Sequence, residues 1–249
     1  MKQYDVIING GGMVGAALAC ALSGQGMRIA VVEATRREVR EDAGYDERAI
    51  ALAWGTRRIF DGLGLWDELA EAATAIHSIH VSDRGRPGMV HMDRESEDLP
   101  AIGYVVPACA IGTVLDAAVA RADDIDVYCP AALTGVVHSG TTVSVQVSRG
   151  DDKTGLQAPL LVAADGADST LREQAGIGCR ETDYRQTAIV TNVTPQLPHN
   201  HVAYERFTPE GPVALLPMSE QRCAVVWTVA ADQADAVMVL DDDTFLAQL

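Results

Sequence analysis

The chain has 249 residues, 48% of them hydrophobic and 22% charged, with a formal net charge of −16. That balance argues against nucleic acid and against a polybasic grip on anionic lipid, because both need clustered Lys and Arg. Five cysteines (Cys20, Cys109, Cys129, Cys179, Cys223) are scattered, odd in number and without a CxxC pair, which fits reduced thiols rather than a disulfide framework or a zinc site. No run approaches the roughly 18 apolar residues of a transmembrane segment, and the apolar start at 4–9 breaks into glycines too soon for a signal peptide. The expectation is a cytoplasmic globular protein.

Residues 4–9 (YDVIIN) are predicted to form a buried strand, being apolar and rich in β-branched side chains. Gly10, Gly11, Gly12, Met13, Val14 and Gly15 follow directly. A small-residue helix is expected over 16–22, and a second strand over 28–33 that ends in Glu33 and runs into Ala34. Strand, glycine turn, helix, strand and acid stand in the order a dinucleotide-binding βαβ unit needs. Gly10 permits the tight turn, Gly12 lets the backbone approach a pyrophosphate, and Gly15 lets helix and strand pack closely. The helix N-terminus presents free N–H groups and the positive end of its dipole. Glu33 is placed to accept hydrogen bonds from ribose hydroxyls, and an acid there disfavours a 2′-phosphate, leaving FAD or NAD.

Beyond Ala34 the regular β/α alternation of an NAD dehydrogenase is missing. A charged loop over 34–47 carries Arg36, Arg37 and Arg40. Residues 46–52 (DERAIAL) lead into helices expected at 56–63 and 66–73. Strands are expected at 76–83, 89–93 and 103–106, a helix at 111–122, and a meander at 126–129, 133–138 and 141–148. A third apolar strand at 160–164 runs into Asp165 and Gly166, then a helix at 170–176. Such a strand, DG turn and helix puts a carboxylate and several amides at the carboxyl end of a parallel sheet, where ligands sit in doubly wound folds. An ordinary Asp-Gly turn is the plainer alternative.

Three segments in order, GGGMVG with Glu33, the Arg48 segment DERAIAL, and AADGADSTLR at 163–172, resemble the class A flavoprotein hydroxylases. The resemblance implies a Rossmann-like FAD-binding domain with an inserted β-rich substrate domain, an α/β architecture like that of p-hydroxybenzoate hydroxylase. It implies that residues 1–74 and 103–180 form the FAD-binding domain and that 75–102 and 181–249 form the substrate sheet. Arg48 would lie alongside the flavin, and Asp165 and Gly166 would be the family's DG motif, with Ser169 and Arg172 as its usual ending. The segments YRQTAIVTNVT, AYERFTPEGPVALLP and RCAVVWT in the second half are similar to ubiquinone-pathway members, in particular those acting on 2-polyprenyl-6-methoxyphenol. FAD as prosthetic group, NAD(P)H and O2 as cosubstrates, a polyprenylated phenol as substrate and no metal follow from that resemblance. So do membership of a ubiquinone-biosynthesis complex and a location peripheral to the inner membrane.

The chain departs from the family in two places. Residues 107–110 (PACA) hold no polar group to reach the flavin, and the second flavin motif, expected downstream, is not reached, so the chain reads as C-terminally truncated. A sibling hydroxylase with another aromatic substrate, and a non-catalytic flavin-domain fragment in a biosynthetic complex, remain as alternatives.

The other polar patterns have plainer readings. His77-x-x-His80 and His199-x-His201 are expected to be solvent-facing strand histidines rather than metal ligands. Arg57 and Arg58 read as exposed helix charge, and Asp241, Asp242 and Asp243 as an acidic helix start. Leu215, Leu216, Pro217, Val225 and Trp227 are candidates to line an apolar substrate cleft, although alternate strand positions face opposite ways.

Overall fold

A computed structural model describes residues 1–35 and 48–249. The arginines of the 34–47 loop, with Asp46 and Glu47, lie outside the described residues. The chain divides into two compact units, Met1–Arg40 with Ile111–Arg180, and Glu41–Ala110 with Glu181–Leu249.

At the centre of the first unit is a four-stranded parallel sheet, ordered Leu160–Ala163, Val6–Asn9, Ile29–Val32, Ile125–Tyr128. Ile7, Ile8, Ile29, Ala30, Val31 and Val32 are 2% exposed or less, the unbroken apolar runs of a parallel sheet covered on both faces. The helix Met13–Leu22 contacts the two inner strands, and Ala108–Arg121 supplies buried Ile111, Leu115 and Val119. A second sheet runs Lys2–Gln3, Asp152–Ala158, Thr142–Arg149, Ala132–Ser139. Its Val143, Val145, Val147 and Leu156 join Tyr4, Ile7, Ala30 and Val32 in one core. Each such side chain contributes about 1.5–3 kcal/mol of burial.

The Asp152–Ala158 strand carries no pattern in the sequence. Its residues (DKTGLQA) lack a β-branched run, yet they pair antiparallel with Thr142–Arg149 and parallel with Lys2–Gln3. The turn with Gly150 at φ +61° sets that register, so tertiary pairing overrides weak propensity. At the other end of the parallel sheet, Tyr4 OH donates to Asp126 Oδ2 at 2.5 Å and meets Tyr128 OH at 2.8 Å.

The second unit holds a six-stranded sheet ordered Gln186–Val193, Cys223–Ala230, Gly211–Pro217, Val202–Thr208, Ser78–Asp83, Met89–Asp93. All its pairings are antiparallel except Val202–Thr208 with Ser78–Asp83. A three-stranded antiparallel sheet, Ala49–Ala53, Gly103–Pro107, Thr74–Ile76, belongs to the same unit. Residues 48–74 and 103–110 therefore cluster with the second unit, whereas the sequence grouped them with the first. The physical link is Thr74–Ile76, whose Ile76 shares a core with Val105, Ala203, Met218 and Ala224.

Ala49–Ala53, which leads into a helix as expected, is itself a strand. Its AIALA pattern suits either state, and pairing with Gly103–Pro107 decides it. A Cβ on Gly103 would sit 2.5 Å from Leu52 O, so only glycine allows that approach. The helix Trp54–Gly62 starts immediately afterwards. Arg57 is more covered than exposed helix charge would be. Its guanidinium lies over Trp54 and Trp66, 5.2 and 5.1 Å from the ring centroids, and pairs with Asp61 at 2.9 Å. Asp241 does cap a helix, Asp242–Gln248, by accepting from Thr244 N at 2.9 Å.

The histidine pairs differ most from their reading as solvent-facing. His199 is buried; its Nε2 meets Met218 O at 3.0 Å and its Nδ1 accepts from His201 N at 3.0 Å. His201 Nδ1 meets Ala75 O at 2.9 Å, and its ring stacks on His77 with centroids 4.4 Å apart. Asn200 and His201 both have positive φ (49° and 61°), a costly turn that these side-chain bonds hold in place. Burial lowers the pKa of His77, helped by His201 and Arg94, and burial also lowers that of His199.

A lowered histidine pKa favours the neutral ring in the folded state. The stability it contributes is then complete above the ordinary value of 6.5 and is lost as pH falls below it. The thermal midpoint is expected to be level near neutral pH and to drop as pH falls below about 6.5. His199→Ala should cost about 1–3 kcal/mol and flatten that drop. Scanning calorimetry across pH checks both; a midpoint unchanged down to about pH 5.5 contradicts the assignment.

Candidate flavin-binding site

The site is built where the central strands of the first unit end. Val6–Asn9 stops at Gly10, whose φ of +105° turns the chain. A Cβ on Gly10 would lie 2.2 Å from Ala164 O, and one on Gly15 would lie 1.9 Å from Gly10 O. Both positions therefore exclude any side chain, and the approach at Gly10 brings the first motif against the Ala164–Asp165 peptide. Gly12 is different: its φ is −63°, and a Cβ there would meet nothing within 4 Å. Folding does not require a glycine at that position, but a ligand passing close to the backbone would.

Met13–Leu22 begins with no side-chain cap and no acidic residue in its first turn. The free N–H groups and positive dipole end around Met13 and Val14 are thus left for an anion. Val14 is 76% exposed and Met13 38%, so the approach is open.

Glu33 follows Ile29–Val32, held by its backbone: its N–H donates to Tyr128 O at 2.9 Å and its carbonyl accepts from Ala131 N at 2.8 Å. Its carboxylate accepts from Gly11 N at 2.6 Å and Thr35 N at 2.8 Å. Two bonds leave lone pairs on both oxygens for further donors such as ribose hydroxyls. A cavity of about 620 Å³ opens beside Gly11, Gly12 and Glu33, with Thr35, Asp116 and Cys129 in its wall. A smaller one of about 250 Å³ is lined by Gly10, Glu33, Ala34, Asp165 and Asp168. The two share Glu33, so Gly10, Gly12, Glu33, Ala34 and Asp165 are brought together around one rim.

Asp165 organises its own turn. Its Oδ1 accepts from Ser169 Oγ at 2.6 Å, and Ser169 Oγ in turn accepts from Arg172 N, capping Thr170–Gln174. Arg172 donates to Ala167 O at 2.7 Å, and Gly166 takes φ +95°. Arg48 lies in the second unit, exposed, with its carbonyl accepting from Ala108 N at 2.8 Å. Thr35, Asp116 and Cys129 were not legible as site residues. Thr35 acts through its backbone, Cys129 follows the strand Ile125–Tyr128 that pairs with Ile29–Val32, and Asp116 is carried by the helix Ala108–Arg121.

Strand alternation puts Leu216 on the face opposite to Leu215, whereas Val225 stands opposite Leu215 on the same face as Trp227. Leu215 and Trp227 line a cleft of about 900 Å³ with Tyr204 and Val213. Leu216 packs with Ile76 and Ala203 instead, and Val225 is fully buried.

The family model described as FAD binding domain matches residues 3–247. The chain belongs to this family. Its residues fit the cofactor: the uncapped helix start, the open face at Gly12 and the free lone pairs of Glu33 suit a pyrophosphate and a ribose diol. The chain is 37% identical over 248 residues to the ubiquinone hydroxylase UbiL of Rhodospirillum rubrum, covering 100% of this chain and 57% of the relative. It is 30% identical over 258 residues to the mouse mitochondrial ubiquinone biosynthesis monooxygenase COQ6, covering 98% and 54%. Among solved structures, PqsL from Pseudomonas aeruginosa, described as a probable FAD-dependent monooxygenase, superposes with TM-score 0.80 at 21% identity, over 95% of this chain and 63% of that one. The p-nitrophenol 4-monooxygenase PnpA of Pseudomonas putida gives 0.78 at 20%, over 95% and 61%. The fold is thus that of the FAD-dependent monooxygenases, and the chain spans just over half the length of the curated relatives named here.

Gly12→Ala is expected to leave the unfolding free energy within about 1 kcal/mol of the parent while weakening FAD at least about tenfold, because its cost falls on the ligand alone. Gly15→Ala should lower stability by about 1–3 kcal/mol or more through overpacking. Flavin fluorescence titration beside thermal melts separates the two; equal FAD affinity for Gly12→Ala and parent contradicts the site.

Proposed function

We propose that this chain is the flavin-binding and substrate-sheet portion of a monooxygenase that hydroxylates a polyprenylated phenol in ubiquinone biosynthesis, using NAD(P)H and O2. The observation that carries the reading is the likeness to ubiquinone hydroxylases along the whole chain, joined to a glycine turn packed against the DG turn. FAD, when bound, supplies the electron transfer and oxygen activation. The chain's part is to bind and orient it. Met13, Val14 and the Gly10–Gly15 turn would take the pyrophosphate, Glu33 with Ala34 the adenosine ribose, and Asp165 with Gly166 the flavin-side chain of hydroxyls. Arg48 would lie alongside the flavin ring. The prenyl tail of the substrate calls for an apolar cleft and sets the work of the enzyme at a membrane surface.

The proteins sharing the fold include a p-nitrophenol 4-monooxygenase, so the fold leaves the ring position open. Substrate choice rests on pocket shape.

Titration of the purified chain with FAD, followed by its visible spectrum, is expected to give a perturbed flavin band. NADH or NADPH oxidation should then rise when a prenylated 6-methoxyphenol is added, and hydroxylated product should appear by mass spectrometry. Flavin binding with hydride oxidation that yields only hydrogen peroxide across a panel of prenylated phenols would sink the substrate assignment. Failure to bind FAD at any concentration would sink the whole reading.

A further inference from the structure

The His77-x-x-His80 spacing suggests that these two residues form a pair, but the sheet pairs His80 with a different histidine. In the antiparallel ladder between Ser78–Asp83 and Met89–Asp93, His80 stands directly opposite His91, and on its other side it is in register with Tyr204. Directly opposed residues project from the same face with their Cβ atoms about 4.5–5.5 Å apart. The imidazole centroids of His80 and His91 are 6.2 Å apart with the rings at 71°, and His80 lies 5.9 Å from the Tyr204 ring. Two regular strands, rather than a loop, hold the rings together.

A second observation points to a ligand. His91 Nε2 lies 2.7 Å from Asp93 Oδ2. A neutral imidazole bonded to a carboxylate through Nε2 keeps its proton there, which leaves the Nδ1 lone pair bare. A carboxylate behind one ring nitrogen is the arrangement that fixes an imidazole for a metal at the other. The His80 side chain makes no hydrogen bond among the described residues, while its backbone pairs with both neighbouring strands. The His91 side chain is 49% exposed, so a cation reaches it from solvent.

We propose that His80 and His91 form a two-imidazole chelate for a divalent transition cation of the zinc, nickel and copper class, with water completing the shell. Among the described residues no group of three or more His, Cys, Asp or Glu forms a closed metal cage. The site is accordingly open, with two protein nitrogens and the remaining positions wet. Imidazole donors select these cations over magnesium and calcium, which prefer oxygen. Zinc–nitrogen bonds of 2.0–2.1 Å require the two rings to close by about 1 Å, within the reach of side-chain rotation. The other clustered histidines compete poorly, since both nitrogens of His199 and Nδ1 of His201 already hold backbone groups. Met89–Asp93 is an edge strand with Ser78–Asp83 as its lateral partner, and a bound cation would staple it there. The site does not depend on the flavin reading.

Zinc chloride titrated into the full chain by calorimetry is expected to bind one equivalent in the micromolar range. His80→Gln and His91→Gln should each weaken it at least tenfold, and Asp93→Asn several-fold. Magnesium chloride should give no competing heat. On the unaltered protein, zinc should shift the ring-proton NMR signals of two of the six histidines, a readout that stands even if a variant fails to fold. Absence of heat at millimolar zinc overturns the proposal. So does affinity unchanged in both glutamine variants, zinc displaced equally well by magnesium, or shifts confined to other histidines.

Discussion

The first unit depends on two close backbone approaches. Gly10 comes so near the Ala164 carbonyl, and Gly15 so near the Gly10 carbonyl, that a single methyl group at either place would overlap an oxygen. These two approaches let the Val6–Asn9 and Leu160–Ala163 strands end side by side, with Asn9 opposite Ala163. The glycine turn and the DG turn then face a common rim. Glu33 closes that rim because its strand is in step with the same neighbour, Asn9 opposite Val32. Register, set by apolar strands buried on both faces, is what converts three distant motifs into one site.

Electrostatics complete what packing begins. The helix after the turn has no acidic first turn and no side-chain cap, so its positive end is not quenched from within. The carboxylate that does approach is Glu33, whose bond goes to Gly11 and not to the helix start. The chain as a whole is strongly acidic, yet the first turn of this helix carries no acid. Asp165 is similarly managed: Ser169 holds its Oδ1 and so fixes the direction of the turn.

Much of this was legible, and the reasons are local. Parallel strands announce themselves as unbroken apolar runs, and the glycine spacing reflects steric demands that no other residue meets. Where pairing alone decides the state, the sequence was mute. Asp152–Ala158 is a strand because Thr142–Arg149 and Lys2–Gln3 flank it, and Ala49–Ala53 because Gly103 admits it. The histidines show the same limit. His77 and His80 look like neighbours at short spacing but find partners on other strands and turns, His201 and His91. Thr35 contributes a backbone N–H, which any residue but proline would supply, so its side chain carried no signal.

Each unit interrupts the other along the chain, and this constrains the order of assembly. Val6–Asn9 can meet Ile29–Val32 early in synthesis, but its other neighbour, Leu160–Ala163, emerges only after the whole of Glu41–Ala110. Ser78–Asp83 likewise waits for Val202–Thr208. Neither sheet can be completed while the ribosome is still making the first half, so apolar strand edges stay uncovered through a long stretch of elongation. Loop closure over such separations is slow and exposes the nascent chain to misassociation. The nested order that brings distant motifs to one rim thus lengthens the time for which the young polypeptide carries unpaired strand edges.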